Sequence, residues 1–327
     1  MKLIIQIPCL NEAQTLHIAL AELPKEIPGI DVIEVLVIDD GSRDDTVAVA
    51  RKHGVHHVVG FQQNQGLARA FMLGLESCLA RGADIIVNTD ADNQYNGADI
   101  EKLVRPILDG KADFVIGARP IASIEHFSPV KKLLQHLGSS IVRRVSGTDV
   151  ADAPSGFRAI SREVALMLNV FNGYTYTLET IIQAGQHNMT VVSVPIRVNG
   201  DLRPSRLVRS IPNYIKRSMV TMFRIFIVYQ PLKFFLTVSI FPLVAGLVIG
   251  ARFLYYALVT GNGSGHVQSL ILAAVLLIVG FLTFLLAILG DLLSVNRRLL
   301  EELQQRERKL RLSGGVLRSA ETMHDRR

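Results

Sequence analysis

Ile85-Ile86-Val87-Asn88-Thr89 runs directly into Asp90-Ala91-Asp92. A short run rich in Ile and Val reads as a buried strand, and two carboxylates stand where it ends. The pattern repeats upstream. Residues 3–8 form an apolar run followed by Asn11 and Glu12, and residues 32–38 lead into Asp39-Asp40-Gly41-Ser42. Residues 114–117 and 190–196 are further strand-like runs, and stretches of helical character cover 12–23, 45–53, 66–80, 99–109 and 177–185. Strand, helix, strand, helix predicts an α/β layer with a mostly parallel sheet.

Ligands of such open sheets bind outside the carboxyl ends of the strands, so the three polar sets predict one crevice. Singly, each has an ordinary reading. Asp-Gly-Ser is a turn signal, and Asp44 or Asp45 can cap a helix. Turns alone do not explain why all three fall at successive strand ends. An anionic nucleotide tolerates carboxylates if one accepts hydrogen bonds from base or ribose and another holds a metal that bridges the phosphates. Asp90 and Asp92 suit the second task, with Gln94 adding a neutral oxygen, and such ligands favour Mg²⁺ or Mn²⁺. There is no Cys/His spacing for zinc, and no Gly-x-Gly-x-x-Gly or Gly-Lys-Ser/Thr phosphate loop.

The rest of the chain points to lipid. Of 327 residues 49% are hydrophobic and only 20% charged, and the net charge is +6, a balance high for a wholly soluble protein. Residues 202–290 contain no Asp or Glu, yet hold Arg203, Arg206, Arg209, Lys216, Arg217, Arg224, Lys233 and Arg252. A basic, acid-free segment beside apolar runs predicts a membrane surface, and no nucleic-acid module signature accompanies it. Residues 234–258 and 267–293 each exceed the ~20 residues a bilayer-crossing helix needs. Arg252, within the first, is read as snorkelling toward headgroups. The connector 259–266 has no Lys or Arg, while both outer flanks are basic. The positive-inside rule then predicts a multi-pass inner-membrane protein with both termini cytoplasmic. Met1-Lys2-Leu3 enters the first strand with no cleavage pattern, which fits a cytoplasmic N-terminal domain. Cys9 and Cys78 are expected to be buried, reduced thiols. Residues 127–145 and 210–229 mix apolar and basic positions at helical spacing and are expected to lie on the bilayer. Gly246 and Gly250 have a small-xxx-small spacing that permits helix packing and a homo-oligomer. Beyond about 312 the composition suggests a loose tail.

Pro8-Cys9-Leu10-Asn11-Glu12, Asp39-Asp40-Gly41-Ser42 with Asp44 and Thr46, Asn64 with Gly66, and Asp90-Ala91-Asp92 together resemble family-2 glycosyltransferases of the Rossmann-like GT-A fold. Gly117-Ala118-Arg119, Asp152-Ala153-Pro154-Ser155-Gly156-Phe157-Arg158, Glu179 and Val194-Pro195-Ile196 extend the likeness toward the polyprenyl-phosphate branch, which includes dolichyl-phosphate mannose synthases and undecaprenyl-phosphate sugar transferases. It spans roughly residues 2–230. Cys9-Leu10 departs from it, since the family often has an aromatic residue beside the base. The resemblance implies that Pro8, Asn11, Glu12, Asp40, Asp90 and Ala91 line a UDP- or GDP-linked sugar, and that Asp90, Asp92 and Gln94 serve metal and diphosphate. It further implies that Arg119, Lys131, Arg203 and Arg206 meet phosphates or the lipid acceptor, and that Asp152 faces that acceptor as a base or as the orienter of an arginine.

The expectation is therefore an inverting, metal-dependent transferase acting on a polyprenyl phosphate. Its layout would be a glycosyltransferase domain over 1–209, an interfacial helix over 210–231, two spans within 232–293, and a basic helix and tail over 294–327. A hydroxyl of a glycolipid or lipid-linked sugar is the alternative acceptor. A processive polysaccharide synthase is disfavoured, because the chain has no tryptophan for that branch's Gln-x-x-Arg-Trp motif.

Overall fold

The computed structural model describes residues 1–120, 139–140, 142–170, 176–200, 220, 223–224, 227–259 and 267–324, those from 312 on by backbone alone. Lys131, Arg203 and Arg206 lie outside the described residues, as do most of 127–145 and 210–229.

The chain divides into two compact units, Met1–Ser218 together with Glu301–Arg327, and Met219–Leu300. The first unit is built on a seven-stranded sheet in the order β3-β2-β1-β4-β6-β5-β7. Its strands are β1 (Lys2–Cys9), β2 (Val32–Asp39), β3 (His57–Gly60), β4 (Ile85–Asn88), β5 (Phe114–Ala118), β6 (Arg158–Ser161) and β7 (Val191–Pro195). Helices α1 (Leu16–Ala21), α2 (Thr46–Lys52), α3 (Leu67–Ala80), α4 (Ile100–Leu108), α5 (Arg162–Met167) and α6 (Thr177–Gln186) connect them.

β1 runs parallel to β2 and β4, as do β2 to β3 and β5 to β7, while β6 runs antiparallel to β4 and β5. The sheet is thus mostly parallel, as expected, with one reversed strand. That reversal sets up the site. β6 begins where β4 ends, with Arg158 opposite Asn88. The loop before β6 therefore arrives at the carboxyl ends of β4 and β5. Leu3, Ile5, Ile7, Val37, Val87 and Val115 are fully buried and form the centre of the core. α3 turns Phe71, Gly74, Leu75, Cys78 and Leu79 inward, the i, i+3, i+4 spacing of an apolar helix stripe. Cys9 and Cys78 are both buried free thiols, and burial raises each above its ordinary value.

Some elements differ from expectation. α1 starts only at Leu16, because Asn11 has φ 55° and the Glu12 carbonyl accepts from Thr15 and Leu16 in a preceding turn. β3, β6 and α5 have no counterpart in the sequence pattern. β3 has only four residues, and β6 hides a strand behind Arg158 and Ser161.

The second unit contains α7 (Pro231–Leu258) and most of α8 (Val267–His324). Both are long and apolar enough to cross a membrane. Within the unit they approach closely at glycines. A Cβ on Gly280 would sit 2.6 Å from Leu243 Cγ, and one on Gly246 would sit 2.9 Å from Leu277 Cγ. Helical backbone continues to His324, where composition alone suggests a loose tail, since no proline interrupts 294–324.

Candidate active site

The loops after β1 and β2 are laced together. The Asn11 N–H donates to Ser42 Oγ at 2.8 Å, and its own Oδ1 accepts from the Arg43 N–H at 2.8 Å. Asparagine tolerates the left-handed backbone this requires. The Glu12 N–H donates to Thr46 Oγ1 at 2.8 Å, and Glu12 Oε2 accepts from the Thr15 hydroxyl at 2.9 Å. Asp40 is buried, and its Oδ1 and Oδ2 accept the backbone N–H groups of Gln65 (2.7 Å) and Gly66 (2.9 Å). Those amides open α3, so a carboxylate there also meets the positive end of the helix dipole. Pro8 is half-buried near the end of β1, and Ala91 is buried.

Asp90 sits half-buried against the loop before β6: a Cβ on Gly156 would lie 3.1 Å from Asp90 Oδ2. Burial, and then the Asp92 charge, push the Asp90 carboxyl up to about 7, with Arg119 and Arg158 pulling the other way. Asp92 Oδ1 accepts the Gln94 N–H at 3.3 Å. Among the described residues no cluster of three or more His, Cys, Asp or Glu side chains forms a self-sufficient metal cage. Two neighbouring carboxylates, one holding its proton unusually tightly, are short of positive charge. An oxygen-only pair of this kind fits a hard divalent cation that completes its shell with phosphate oxygens and water.

Arg119 and Asp152 come together from the end of β5 and the loop before β6. Arg119 Nε donates to Asp152 Oδ2 at 2.7 Å, Nη2 to Oδ1 at 3.0 Å, and the Arg119 backbone N–H to Oδ2 at 3.3 Å. Asp152 is fully buried and Arg119 nearly so, with 12% of its side chain exposed. A fork-to-fork pair of this kind fixes both side chains.

Beneath these groups lies a polar network that the sequence did not assign. Arg158 is fully buried; burial lowers it to about 10, against the opposing pull of Tyr176, Tyr95, Asp152 and Asp90. It donates to the carbonyls of Ala153 (2.8 Å), Ser155 (2.6 Å) and Thr177 (2.8 Å) and to Thr180 Oγ1 (2.7 Å). Gln6 Nε2 donates to Asn88 Oδ1 at 2.9 Å, and Asn88 Nδ2 donates to the Gly156 carbonyl and to the Tyr176 hydroxyl, each at 2.9 Å. The Gly156 N–H donates to the Tyr95 hydroxyl at 3.1 Å. Tyr95 stacks on Phe157 and Tyr176 on Phe71. The visible signal was Gln6 and Asn88 themselves, polar residues inside apolar strands and direct partners in register.

Residues 4–166 match the family model for glycosyl transferase family 2, and the chain belongs to that family. Two relatives narrow the comparison. A UDP-N-acetylglucosamine–dolichyl-phosphate N-acetylglucosaminyltransferase of Methanococcus voltae is 28% identical over 185 residues, covering 50% of this chain and 73% of that protein. A polyprenol monophosphomannose synthase of Mycolicibacterium smegmatis is 27% identical over 201 residues, covering 58% of this chain and 74% of that protein. Among solved structures, the fold is similar to that of glucosyl-3-phosphoglycerate synthase from Mycobacterium tuberculosis, crystallised with Mn²⁺, UDP and glucosyl-3-phosphoglycerate. The TM-score is 0.52 at 23% identity, covering 68% of this chain and 79% of that one.

Proposed function

We propose that this family-2 glycosyltransferase moves a sugar, with inversion, from a UDP- or GDP-linked donor to the phosphate of a polyprenyl phosphate at the cytoplasmic face of a membrane. The names of both relatives support a lipid-phosphate acceptor, and two membrane-length helices support a lipid setting. The observation that carries the reading is the state of Asp152. Its two oxygens are occupied by Arg119, so it is poorly placed to take a proton from a hydroxyl. A phosphate monoester needs no such help, because its second pKa is ~6 and it is already an anion at neutral pH.

On this reading Pro8, Asn11, Glu12, Asp40 and Ala91 line the nucleoside. Asp90, Asp92 and Gln94 would hold Mg²⁺ or Mn²⁺, which when bound supplies positive charge to the departing diphosphate. Arg119, fixed by Asp152, presents its guanidinium to phosphate, with Lys131, Arg203 and Arg206 as further cations for the acceptor. A preset cation of this kind needs no reorganisation as charge develops. The acceptor oxygen attacks opposite the leaving group, hence inversion. Basic flanks and an uncharged connector favour a multi-pass protein with both ends cytoplasmic. The layout is then a transferase domain over 1–209, an interfacial helix over 210–231, spans within 232–293 and a tail over 294–327.

The test is transfer by the purified full chain with Mn²⁺ or Mg²⁺, undecaprenyl or dolichyl phosphate, and labelled UDP- and GDP-sugars. An acid-labile labelled lipid that disappears with EDTA or in Asp92→Ala supports the reading. Label entering a glycolipid hydroxyl, with none on lipid phosphate, overturns the acceptor assignment.

A further inference from the structure

The loop that carries Asp92 and Gln94 is fastened from two sides, by the segment after β7 and by the end of α1. On one side the segment after β7 pairs with it. Val198 forms an antiparallel bridge with Tyr95, and the Asn199 N–H donates to the Gln94 carbonyl at 2.9 Å. Asp99 locks this pairing. It is fully buried, and its Oδ2 accepts the Arg197 backbone N–H at 2.7 Å. Its Oδ1 accepts Arg197 Nη2 and faces Lys102 Nζ, both at 2.8 Å. Arg197 Nη2 also reaches Asn96 Oδ1 at 3.3 Å.

On the other side stands the C-terminal end of α1. Glu22 Oε1 accepts from Asn93 Nδ2 at 3.1 Å, and Oε2 accepts from Asn199 Nδ2 at 3.0 Å. Gly97 packs on the Glu22 backbone so tightly that a Cβ would lie 2.4 Å from the Glu22 carbonyl oxygen. Asn93, between the two acidic-loop ligand candidates, has φ 58°, a backbone state that persists only where its surroundings enforce it.

We infer that Asp99, Arg197 and Glu22 are positioning residues for the metal. Their contacts are with the loop and with one another rather than through Asp92 or Gln94, and they hold the 92–96 loop in the one shape that offers Asp92 and Gln94 to a divalent cation. The inference rests on the proposed metal and diphosphate role of that loop. Outer partners of metal ligands typically change metal affinity by about 10–100-fold when removed. A purely structural latch would change stability and leave metal affinity alone.

The experiment is direct Mn²⁺ binding to the full chain in detergent, by calorimetry or by electron paramagnetic resonance, with UDP and then GDP present and no sugar donor. Arg197 is largely exposed, so Arg197→Ala is expected to fold, and its melting curve verifies that the titration is made on folded protein. The expected result is Mn²⁺ affinity weaker by about tenfold in Arg197→Ala and in Glu22→Ala. Partial recovery is expected in Arg197→Lys, which keeps a cation beside Asp99. Wild-type Mn²⁺ affinity in folded Arg197→Ala and Glu22→Ala overturns the inference while leaving the site reading intact. Failure of the wild type to bind Mn²⁺ with either nucleotide overturns the site reading, and this inference with it.

Discussion

Arg119 grips Asp152 with two prongs, Nε to Oδ2 at 2.7 Å and Nη2 to Oδ1 at 3.0 Å, across 33 residues of sequence. A carboxylate held this way behaves as half of a pair. Asp152→Asn is expected to lower kcat by about 10–100-fold, the scale of a loosened supporting partner, and Arg119→Lys by a similar factor because lysine has no planar fork. The double variant is expected to be little worse than either single one, since both remove the same interaction. Steady-state transfer kinetics on the four proteins check this. Strictly additive losses, or a complete loss with Asp152→Asn alone, would instead mark Asp152 as an independent base.

Gly156 marks how close Asp90 and the loop before β6 stand. A methyl group there would press on Asp90 Oδ2 at 3.1 Å and on the Tyr176 hydroxyl at 3.2 Å. The carboxylate must then move by a few tenths of an ångström, comparable with the ~0.5 Å tolerance of a catalytic constellation. Gly156→Ala should reduce transfer at least about tenfold while costing only ~1 kcal/mol of stability. The comparison is of kcat/KM with urea denaturation.

Arg158 should dominate stability rather than rate. Replacing it by Met strands the carbonyls of Ala153 and Ser155, while that of Thr177 keeps the Thr180 hydroxyl as donor, and each orphaned acceptor costs ~1–3 kcal/mol. Arg158→Met should therefore lose at least ~2 kcal/mol, measured by chemical denaturation. A loss below ~1 kcal/mol would show that water reaches the carbonyls.

Acid should weaken the Asp99 latch in a defined window. Burial alone would raise this carboxyl, but hydrogen bonds from Arg197 and Lys102 outweigh it and hold it at about 2. In the unfolded chain the group titrates near ~3.9. Because the folded value is the lower one, the stabilisation is complete above pH ~4 and is lost as pH falls toward 2. The stability gap between wild type and Asp99→Asn should be constant from pH 7 to 5 and narrow between about pH 4 and 2. Melting curves across that range test it, and a gap that widens in acid would contradict the assigned direction.

Much of the fold and of the site is legible in the sequence, for identifiable reasons. β1, β2, β4 and β5 announce themselves as Ile- and Val-rich runs. The acidic ends of β2 and β4 follow directly in the chain, so the strand pattern alone sets Asp40, Asp90 and Asp92 at the carboxyl edge of the sheet. β6 cannot be read this way, because four residues with a buried arginine at one end carry no periodic signal. The chemistry of Asp152 stays open in the sequence for the same reason. Whether it acts as base or as orienter depends on which group faces it, and that depends on the reversal of β6. Asn88 and Tyr176 meet across 88 residues, a pairing that no local pattern encodes.

The reversed strand also bears on how such an enzyme can diversify. The chain leaves the crevice at Arg119 and re-enters it at Asp152, and these two residues clasp each other. A bidentate ion pair that joins two points 33 residues apart closes the intervening stretch into a ring. The entropic cost of such a closure grows only slowly with the length enclosed, so chain length can vary between the two residues at little cost to the clasp itself.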